Sequence, residues 1–203
     1  MNRSFVTGIL SFLFFSLVIS TDADAQAKFG FRVGLNISKQ EFKFDSLTVE
    51  PKSKFGLDLA LVADLPLGEM VSFTPELHWL QKGYKLEDLG TTFGDITGTF
   101  NYLELPLLVK FKFGEAANFN VFGGPSVGYI LSGKIDNNGV EEDPDYDLIN
   151  RLEFGAHLGA GVGLGPVNID VRYLLGLSNL AKDDPNIRET KNTGFGAGVS
   201  IMF

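Results

Sequence analysis

The most regular pattern in the sequence is an alternation of apolar residues with small or polar ones, which recurs eight times between residues 26 and 203. In the last repeat, 193–203, the odd positions from Phe195 to Phe203 are all apolar, and the even positions hold glycine, serine and methionine. Side chains of a β-strand alternate between its two faces, so each repeat predicts a strand with one apolar and one compact or polar face.

The predicted strands are joined by connectors whose lengths alternate between short and long. The strands comprise residues 28–37, 54–65, 70–84, 99–113, 119–131, 151–164, 167–177 and 193–203. The short connectors are 66–69, 114–118 and 165–166, whereas the long, polar ones are 38–53, 85–98, 132–150 and 178–192. Eight strands joined in this way predict an all-β fold, an antiparallel up-and-down barrel, which is typical of an outer-membrane β-barrel. Short turns face the periplasm in such barrels, so both termini are expected there.

Residues 1–25 have the features of a secretory signal peptide. Arg3 gives a positive start, 8–19 is an apolar run, and Ala23-Asp24-Ala25 is a small-x-small cleavage site. The apolar run is shorter than the ~20 residues that a membrane-spanning helix needs. The sequence therefore predicts removal of 1–25 and one β-barrel domain from 26 to 203.

Composition narrows the class of protein further. The chain has 17 basic and 25 acidic residues, a net charge of −8, and no basic run, which argues against nucleic acid as a partner. It contains no cysteine, which excludes disulfides and a lipoprotein anchor. Its 24 glycines and 19 phenylalanines suit strands with a compact inner and an apolar outer face.

Charged residues occupy the predicted inner face of several strands. An eight-stranded barrel is just wide enough for side chains to fill it, and buried charges must be paired or hydrated. We therefore predict a structural network of ion pairs in the lumen, with a proton or ion path as the alternative. It comprises Arg32, Asp58, Glu76, Glu104, Lys110, Glu153, Asp170 and Arg172.

Two finer expectations concern the geometry of this network. Glu76 and Glu104 are expected to join Arg32 and Arg172 at the centre of the lumen. The glycines of the last strand, at 194, 196 and 198, are expected to leave room for the two long guanidinium groups.

Several short motifs resemble those of one known family. They are Gly-Leu-Asn at 34–36, Pro-Glu-Leu at 75–77 with Lys82-Gly83, Asn-Tyr-Leu-Glu-Leu-Pro-Leu-Leu at 101–108, Gly124-Pro125, Arg172-Tyr173 with Gly176-Leu177, and the terminal Phe203. With these motifs, 26–203 is similar to the PorT-like outer-membrane β-barrel domain. The resemblance implies an eight-stranded, monomeric barrel in the lipid of a Gram-negative outer membrane. It also implies that Phe203 is an assembly signal read by the barrel-assembly machinery, and that secretion-system or envelope proteins are candidate partners.

Motifs that suggest catalysis or cofactor binding stand in the wrong context. Gly124-Pro-Ser-Val-Gly128 matches G-x-S-x-G but lies within a predicted strand rather than at a strand-to-helix elbow. The glycine runs at 159–163 and 194–198 repeat every second residue, unlike a dinucleotide loop. No catalytic or cofactor-binding residue is predicted.

Candidate metal ligands are equally isolated. The segment from Asp143 begins like a calcium loop but has Leu148 and Phe154 where glycine and glutamate are required, so weak calcium binding is only an alternative. His78 and His157, the two histidines, have no metal-binding spacing and are interpreted as hydrogen-bonded lumen residues, with metal or general-base work as the alternative.

Together these patterns predict a non-enzymatic integral outer-membrane barrel that acts through surface loops or periplasmic partners. One alternative is a lipid-modifying or proteolytic barrel enzyme, which needs reactive residues at the outer rim, where the long connectors have no histidine. The other is a soluble lipocalin-like carrier, which needs the apolar face of the strands to point inward.

Overall fold

The computed structural model describes residues 26–44, 48–49, 51–86, 95–114, 117–182 and 187–203, and these residues are almost entirely β-strand. The predicted signal peptide 1–25 lies outside the described residues. The strands are β1 (Lys28–Phe44), β2 (Thr48–Val49), β3 (Lys52–Pro66), β4 (Val71–Leu86), β5 (Ile96–Phe113), β6 (Asn118–Asn137), β7 (Val140–Glu142), β8 (Leu152–Leu164), β9 (Val167–Gly176) and β10 (Ile187–Met202). A single 3₁₀ turn, Tyr146–Leu148, lies between β7 and β8. Within the described parts of the chain, no helix is long and apolar enough to cross a membrane.

Eight long strands form one closed antiparallel barrel. Each pairs with the next long strand along the chain, and β10 pairs with β1 from Gly30↔Met202 to Phe44↔Ile187. The two short strands extend the ladder at one end, β2 on β1 and β7 on β6. The predicted fold class, an eight-stranded antiparallel up-and-down barrel, is confirmed.

The two ends of the barrel differ, and we name them by their connectors. The turn end carries the short connectors, 67–70 and 165–166 among them, together with the beginning of β1 and the end of β10. The loop end carries the long connectors. There the strands run further than the alternation predicts, because β1 continues to Phe44 and β6 to Asn137. The outer face becomes polar beyond the apolar belt, as at Lys39 and Glu41 of β1, so the pattern fades although backbone pairing continues.

Pro75, Pro106 and Pro125 stand within predicted strands, and the loss of one ladder donor at each predicts a bulge or a local kink. This prediction is wrong for the ladder register, which is the same on both sides of Pro75 in the β4–β5 pair. Proline removes one ladder donor, but its φ is compatible with extended backbone. The register shifts lie near the loop end instead, for example between Asn101 and Tyr102.

The barrel is apolar outside and polar inside. Phe31 on the outer face of β1 is 60% exposed, whereas its neighbour Arg32 on the inner face is 1% exposed. The same alternation around all eight strands produces a continuous apolar belt far larger than the patches on soluble monomers. This arrangement is the reverse of what a lipocalin-like carrier requires.

Candidate functional site

The centre of the lumen contains a closed ring of ion pairs and hydrogen bonds, which we call the central ring. Its members come from the inner faces of β1, β3, β4 and β9, and all are buried. They are Arg32, Asp58, Glu76, His78, Asp170 and Arg172.

Asp170 connects the two arginines of the central ring. Arg32 donates through Nε and Nη2 to the Asp170 carboxylate, at 3.1 and 3.0 Å. Arg172 donates through Nε to Asp170 Oδ1 at 2.9 Å and through Nη1 to Glu76 Oε2 at 2.7 Å. Arg32 also pairs with Asp58, so each guanidinium contacts two carboxylates.

His78 closes the ring on the opposite side. Its Nδ1 lies 2.6 Å from Asp58 Oδ1, and its Nε2 lies 2.6 Å from Glu76 Oε2. Ionised carboxylates only accept hydrogen bonds, so an imidazole placed between two of them must carry a proton on each nitrogen. The ring then contains three cations and three anions, which satisfies the requirement that buried charges be compensated.

A second cluster, the lysine cluster, lies beside the central ring and comprises Lys82, Glu104, Glu153, His157 and Asn192. Lys82 Nζ lies 3.0 Å from Glu104 Oε2 and 3.2 Å from Glu153 Oε2. Glu104 Oε1 contacts His157 Nε2 at 2.9 Å, and Asn192 donates to Glu153 at 3.0 Å. The rings of His78 and His157 are 6.1 Å apart, so the two groups of residues are close neighbours.

The structure brings seven of the eight predicted lumen charges into these two groups. Five of them lie in the central ring, while Glu104 and Glu153 lie in the lysine cluster. Glu104 was expected to join the arginines, but Lys82 and His157 are its ion-pair partners in the described residues.

The eighth predicted residue, Lys110, forms no ion pair with the residues that the structure describes. Its Nζ lies 5.8 Å from the centre of the Phe122 ring. The Arg172 guanidinium lies 5.1 Å from the same ring, so Phe122 contacts two cations. Aromatic rings attract cations through their negative faces, which compensates part of the charge of Lys110.

Sequence reasoning did not assign Lys82 or Phe122 to the lumen, and it did not predict the turn-end pair of Asp64 with Lys112. Lys82 stands an even number of positions after His78 in β4, so strand alternation places it on the inner face. The assignment was missed because Lys82 follows a stretch in which the apolar alternation fades. Phe122 lies on the inner face of β6, where it is an aromatic residue among small or polar residues. Asp64 accepts hydrogen bonds from Thr74 and Lys112.

Glycines make room for the large side chains of the lumen. A Cβ at Gly198 would lie 2.5 Å from Arg32 Cζ, and one at Gly196 would lie 3.2 Å from Arg172 Cγ. A Cβ at Gly159 would overlap the Phe122 ring. Gly194 differs from the expectation, because its Cβ would meet β1 backbone rather than an arginine.

The two histidines of the lumen take part in ion pairs. Both histidines are almost fully buried; both ring nitrogens of His78 and Nε2 of His157 contact carboxylates, and His157 Nδ1 has no hydrogen-bond partner in the described residues. Among the described residues, no cluster of three or more histidines and acids has a geometry that could hold a metal ion. Ser126 of the G-x-S-x-G match lies within β6, as expected from the strand pattern.

Phe203 lies at the turn end, on the lipid-facing side of the barrel. Its backbone N–H donates to Phe29 O at 2.7 Å, and its ring meets Phe31 edge to face at 6.3 Å. The aromatic side chain is 76% exposed and continues the outer apolar surface to the end of the chain.

One protein family matches most of the sequence: the outer membrane protein beta-barrel domain, over residues 22–182. Among curated proteins, no match to the chain is found.

Several solved structures are similar in fold. The attachment invasion locus protein Ail of Yersinia pestis, solved with the heparin analogue sucrose octasulfate, is 18% identical, with 88% of this chain and 99% of that chain covered and a TM-score of 0.46. The outer membrane protein OprG from Pseudomonas aeruginosa is 10% identical, covering 88% and 97%, with a TM-score of 0.48. The outer membrane enzyme PagL is 12% identical, covering 82% and 98%, with a TM-score of 0.46.

Proposed function

Because the chain belongs to the outer membrane protein β-barrel domain family, we propose that it is a non-enzymatic outer-membrane barrel with a closed lumen. It acts at its two ends, through the loop-end connectors or through periplasmic partners at the turn end. It does not act by passing solutes along its axis.

The central ring is the observation that carries this proposal. Its six side chains reach across the lumen from β1, β3, β4 and β9, and the lysine cluster fills the space beside them. Glycines face these groups where any side chain would collide, so the lumen is packed with protein atoms rather than left open. Removing one partner of a buried ion pair costs about 3–5 kcal/mol, because the other charge is left uncompensated, so each charge of the ring depends on its partners.

The decisive experiment is a conductance measurement on the purified protein in planar bilayers. We expect the wild-type barrel to give no steps above the bilayer background. The variant Glu76→Ala with Arg172→Ala removes one cation and one anion together, and we expect it to raise the conductance. A large, stable wild-type conductance would show that the lumen conducts and would overturn the proposal.

A barrel enzyme is the alternative function, and PagL shows that an outer membrane enzyme can share this fold. The positions of His78 and His157 disfavour it here. Two carboxylates hold His78 and one holds His157 in the centre of the lumen, away from the loop-end rim where an outer-leaflet substrate would approach. Unchanged lipid and protein profiles of cells that overproduce the barrel, compared with cells that carry an empty vector, are the expected result.

At a finer level, we propose that the chain is PorT-like, with secretion-system or envelope proteins as partners. Support comes from the motifs at 101–108 and 172–173, which the structure places at β5 and β9. Photo-crosslinking from turn-end position Gly68 in intact cells tests this proposal. Recovery of one specific envelope protein is expected, and recovery of barrel-assembly components alone would count against it.

A further inference from the structure

The loop end of the barrel contains a cavity of about 270 Å³, separate from the charged lumen. The inner faces of strand extensions and two connectors form its wall, which is largely apolar. Among the described residues its lining is Gln40, Phe42, Tyr84, Phe100, Ile130, Ile135, Pro144, Asp145, Leu148, Ile149, Leu180, Ala181 and Thr190. We call it the loop-end cavity.

An apolar floor separates this cavity from the ion pairs below it. Leu80, Phe100, Tyr102, Ile130 and Leu174 form one buried cluster, and Phe100 and Ile130 also line the cavity. On the far side of this floor, the Tyr102 hydroxyl accepts a hydrogen bond from Asn192 of the lysine cluster, at 3.0 Å. The loop-end cavity is therefore closed at its inner end and is not the entrance of a channel.

Hydrogen bonds hold two connectors together as one wall of the loop-end cavity. Ile149 and Ala181 form a β-bridge between the β7–β8 and β9–β10 connectors. On either side of this bridge, Asn150 N donates to Leu180 O at 2.8 Å, and Lys182 N donates to Leu148 O at 3.0 Å. A wall fixed in this way preserves the shape of the cavity, which lowers the entropic cost of binding a ligand.

The β7–β8 connector is also clamped from the outside of the barrel. The Arg151 guanidinium lies between the rings of Tyr129 and Tyr146, 4.9 and 4.8 Å from their centres. The Tyr146 hydroxyl accepts a hydrogen bond from Gly133 N at 2.7 Å. These contacts fix the 3₁₀ turn that carries Leu148 over the cavity.

Charged residues around the loop-end cavity restrict the class of ligand that can bind there. The segment that forms its wall and rim carries five exposed acids, of which one, Glu141, pairs with Lys134. They are Glu141, Glu142, Asp143, Asp145 and Asp147. The five acids outnumber the three nearby cations, Lys134, Arg151 and Lys182, so the excess of negative charge disfavours carboxylates and phosphates.

We propose that the loop-end cavity binds a small apolar molecule of one or two rings that carries no negative charge. Size supports this class, since an apolar protein cavity of about 150 Å³ binds benzene, and this one is nearly twice as large. Gln40 and Thr190 supply the polar groups of the wall for a hydroxyl or amine on the ligand. The proposal goes beyond the closed-lumen function and does not depend on it.

The test is equilibrium dialysis of 2-naphthol against the full-length barrel in lipid nanodiscs, with protein-free nanodiscs as the blank. We expect saturable binding in excess of the blank at one molecule per barrel. Naphthalene-2-carboxylate, the anionic analogue, should bind at least about tenfold more weakly, and 2-naphthylmethylamine should bind no more weakly than the alcohol.

Matched variants locate the site. Leu148→Trp places an indole in the loop-end cavity. It should weaken binding of 2-naphthol at least about tenfold, because the cavity loses much of its volume. Val140→Trp lies on the exposed β7 strand outside the cavity. This variant should change the affinity for 2-naphthol less than about twofold, because it leaves the volume of the cavity unchanged. The strand content of each variant, measured by circular dichroism, establishes that it has folded.

Three outcomes would each overturn the proposal. The first is binding no greater than that of protein-free nanodiscs, which means that the probe only partitions into lipid. The second is an equal loss of affinity in the Leu148 and Val140 variants. The third is equal affinity for the alcohol and the carboxylate, which contradicts the assigned ligand class.

Discussion

At the scale of the residue, Gly198 illustrates how the lumen depends on the absence of a side chain. Its position faces the Arg32 guanidinium, which two aspartates hold in place and which therefore cannot move aside. We predict that Gly198→Ala lowers the free energy of unfolding by about 1–3 kcal/mol, the usual cost of overpacking a core. Urea unfolding in detergent micelles, followed by the fluorescence of the single tryptophan, Trp79, measures this change.

A matched control is Gly163→Ala on β8, another glycine with strand geometry. The nearest atom to its Cβ would be 3.6 Å away, an ordinary contact. Because alanine restricts the unfolded chain more than glycine does, this variant should be neutral or slightly more stable. If both alanine variants lose the same stability, the loss at Gly198 does not come from the contact with Arg32.

Also at the residue scale, the ion pairs predict which double mutants are coupled. Arg172→Met leaves Glu76 and Asp170 with one cation fewer, so it should cost about 3–5 kcal/mol. Adding Glu76→Gln should recover part of this loss, because it removes an anion that Arg172 compensated. Adding Glu104→Gln should give nearly additive losses, since Glu104 pairs with Lys82 and His157 instead.

Thermal and urea unfolding of the single and double mutants give the two coupling energies. A coupling of Arg172 with Glu104 as large as that with Glu76 would falsify the division of the lumen charges into two groups. It would instead support the grouping that the sequence alone suggested, in which both glutamates join the arginines.

At the scale of the element, the last strand allows the proposed role of Phe203 to be tested separately from its contribution to the lipid-facing surface. Phe203→Ser and Phe119→Ser each remove one outward phenylalanine from the turn end, where these rings are 76% and 61% exposed. If the terminal residue is an assembly signal, Phe203→Ser should reduce folded protein in the outer membrane several-fold more than Phe119→Ser. Heat-modifiable gel mobility of membrane fractions measures the folded amount, and equal yields would contradict the proposed signal.

Strand positions were predictable from sequence because burial reverses at every residue within the apolar belt. In β1 the exposure alternates without a break from Arg32 to Ser38, which the apolar pattern reproduces. Beyond the belt the outer face becomes polar, so the apolar alternation that marks a strand is lost, and β1 and β6 were predicted too short. The effect of the prolines was misjudged because a missing ladder donor and a register shift are different things.

The candidate site was predictable in its membership but not in its pairing. Parity alone places Arg32, Glu76 and Arg172 in the lumen, since strand geometry fixes the face on which each side chain lies. Which charges meet depends on the stagger of neighbouring strands, which the sequence does not reveal. This stagger directs Glu104 to Lys82 rather than to an arginine. The sequence also did not predict the loop-end cavity, because its lining comes from seven segments that are distant in sequence.

At the scale of the whole molecule, the ends of the barrel allow its orientation in the membrane to be tested. The turn end carries short connectors together with the beginning of β1 and the end of β10. The loop end carries the five exposed acids of 141–147 and the cavity. Exported barrels keep their short turns on the periplasmic side, so the loop end should face the outside of the cell. The chain has no native cysteine to interfere with labelling by a thiol reagent.

We therefore predict that a membrane-impermeant maleimide labels Asp143→Cys on intact cells but does not label Gly68→Cys. Both positions are exposed in connectors, and a Cβ at Gly68 has no heavy atom within 4 Å, so a difference in labelling reports sidedness rather than burial. After permeabilisation of the outer membrane, Gly68→Cys should become labelled to the same extent as Asp143→Cys. Labelling of Gly68→Cys on intact cells, with Asp143→Cys protected, would mean that the barrel is inserted in the opposite direction and that its cavity faces the periplasm.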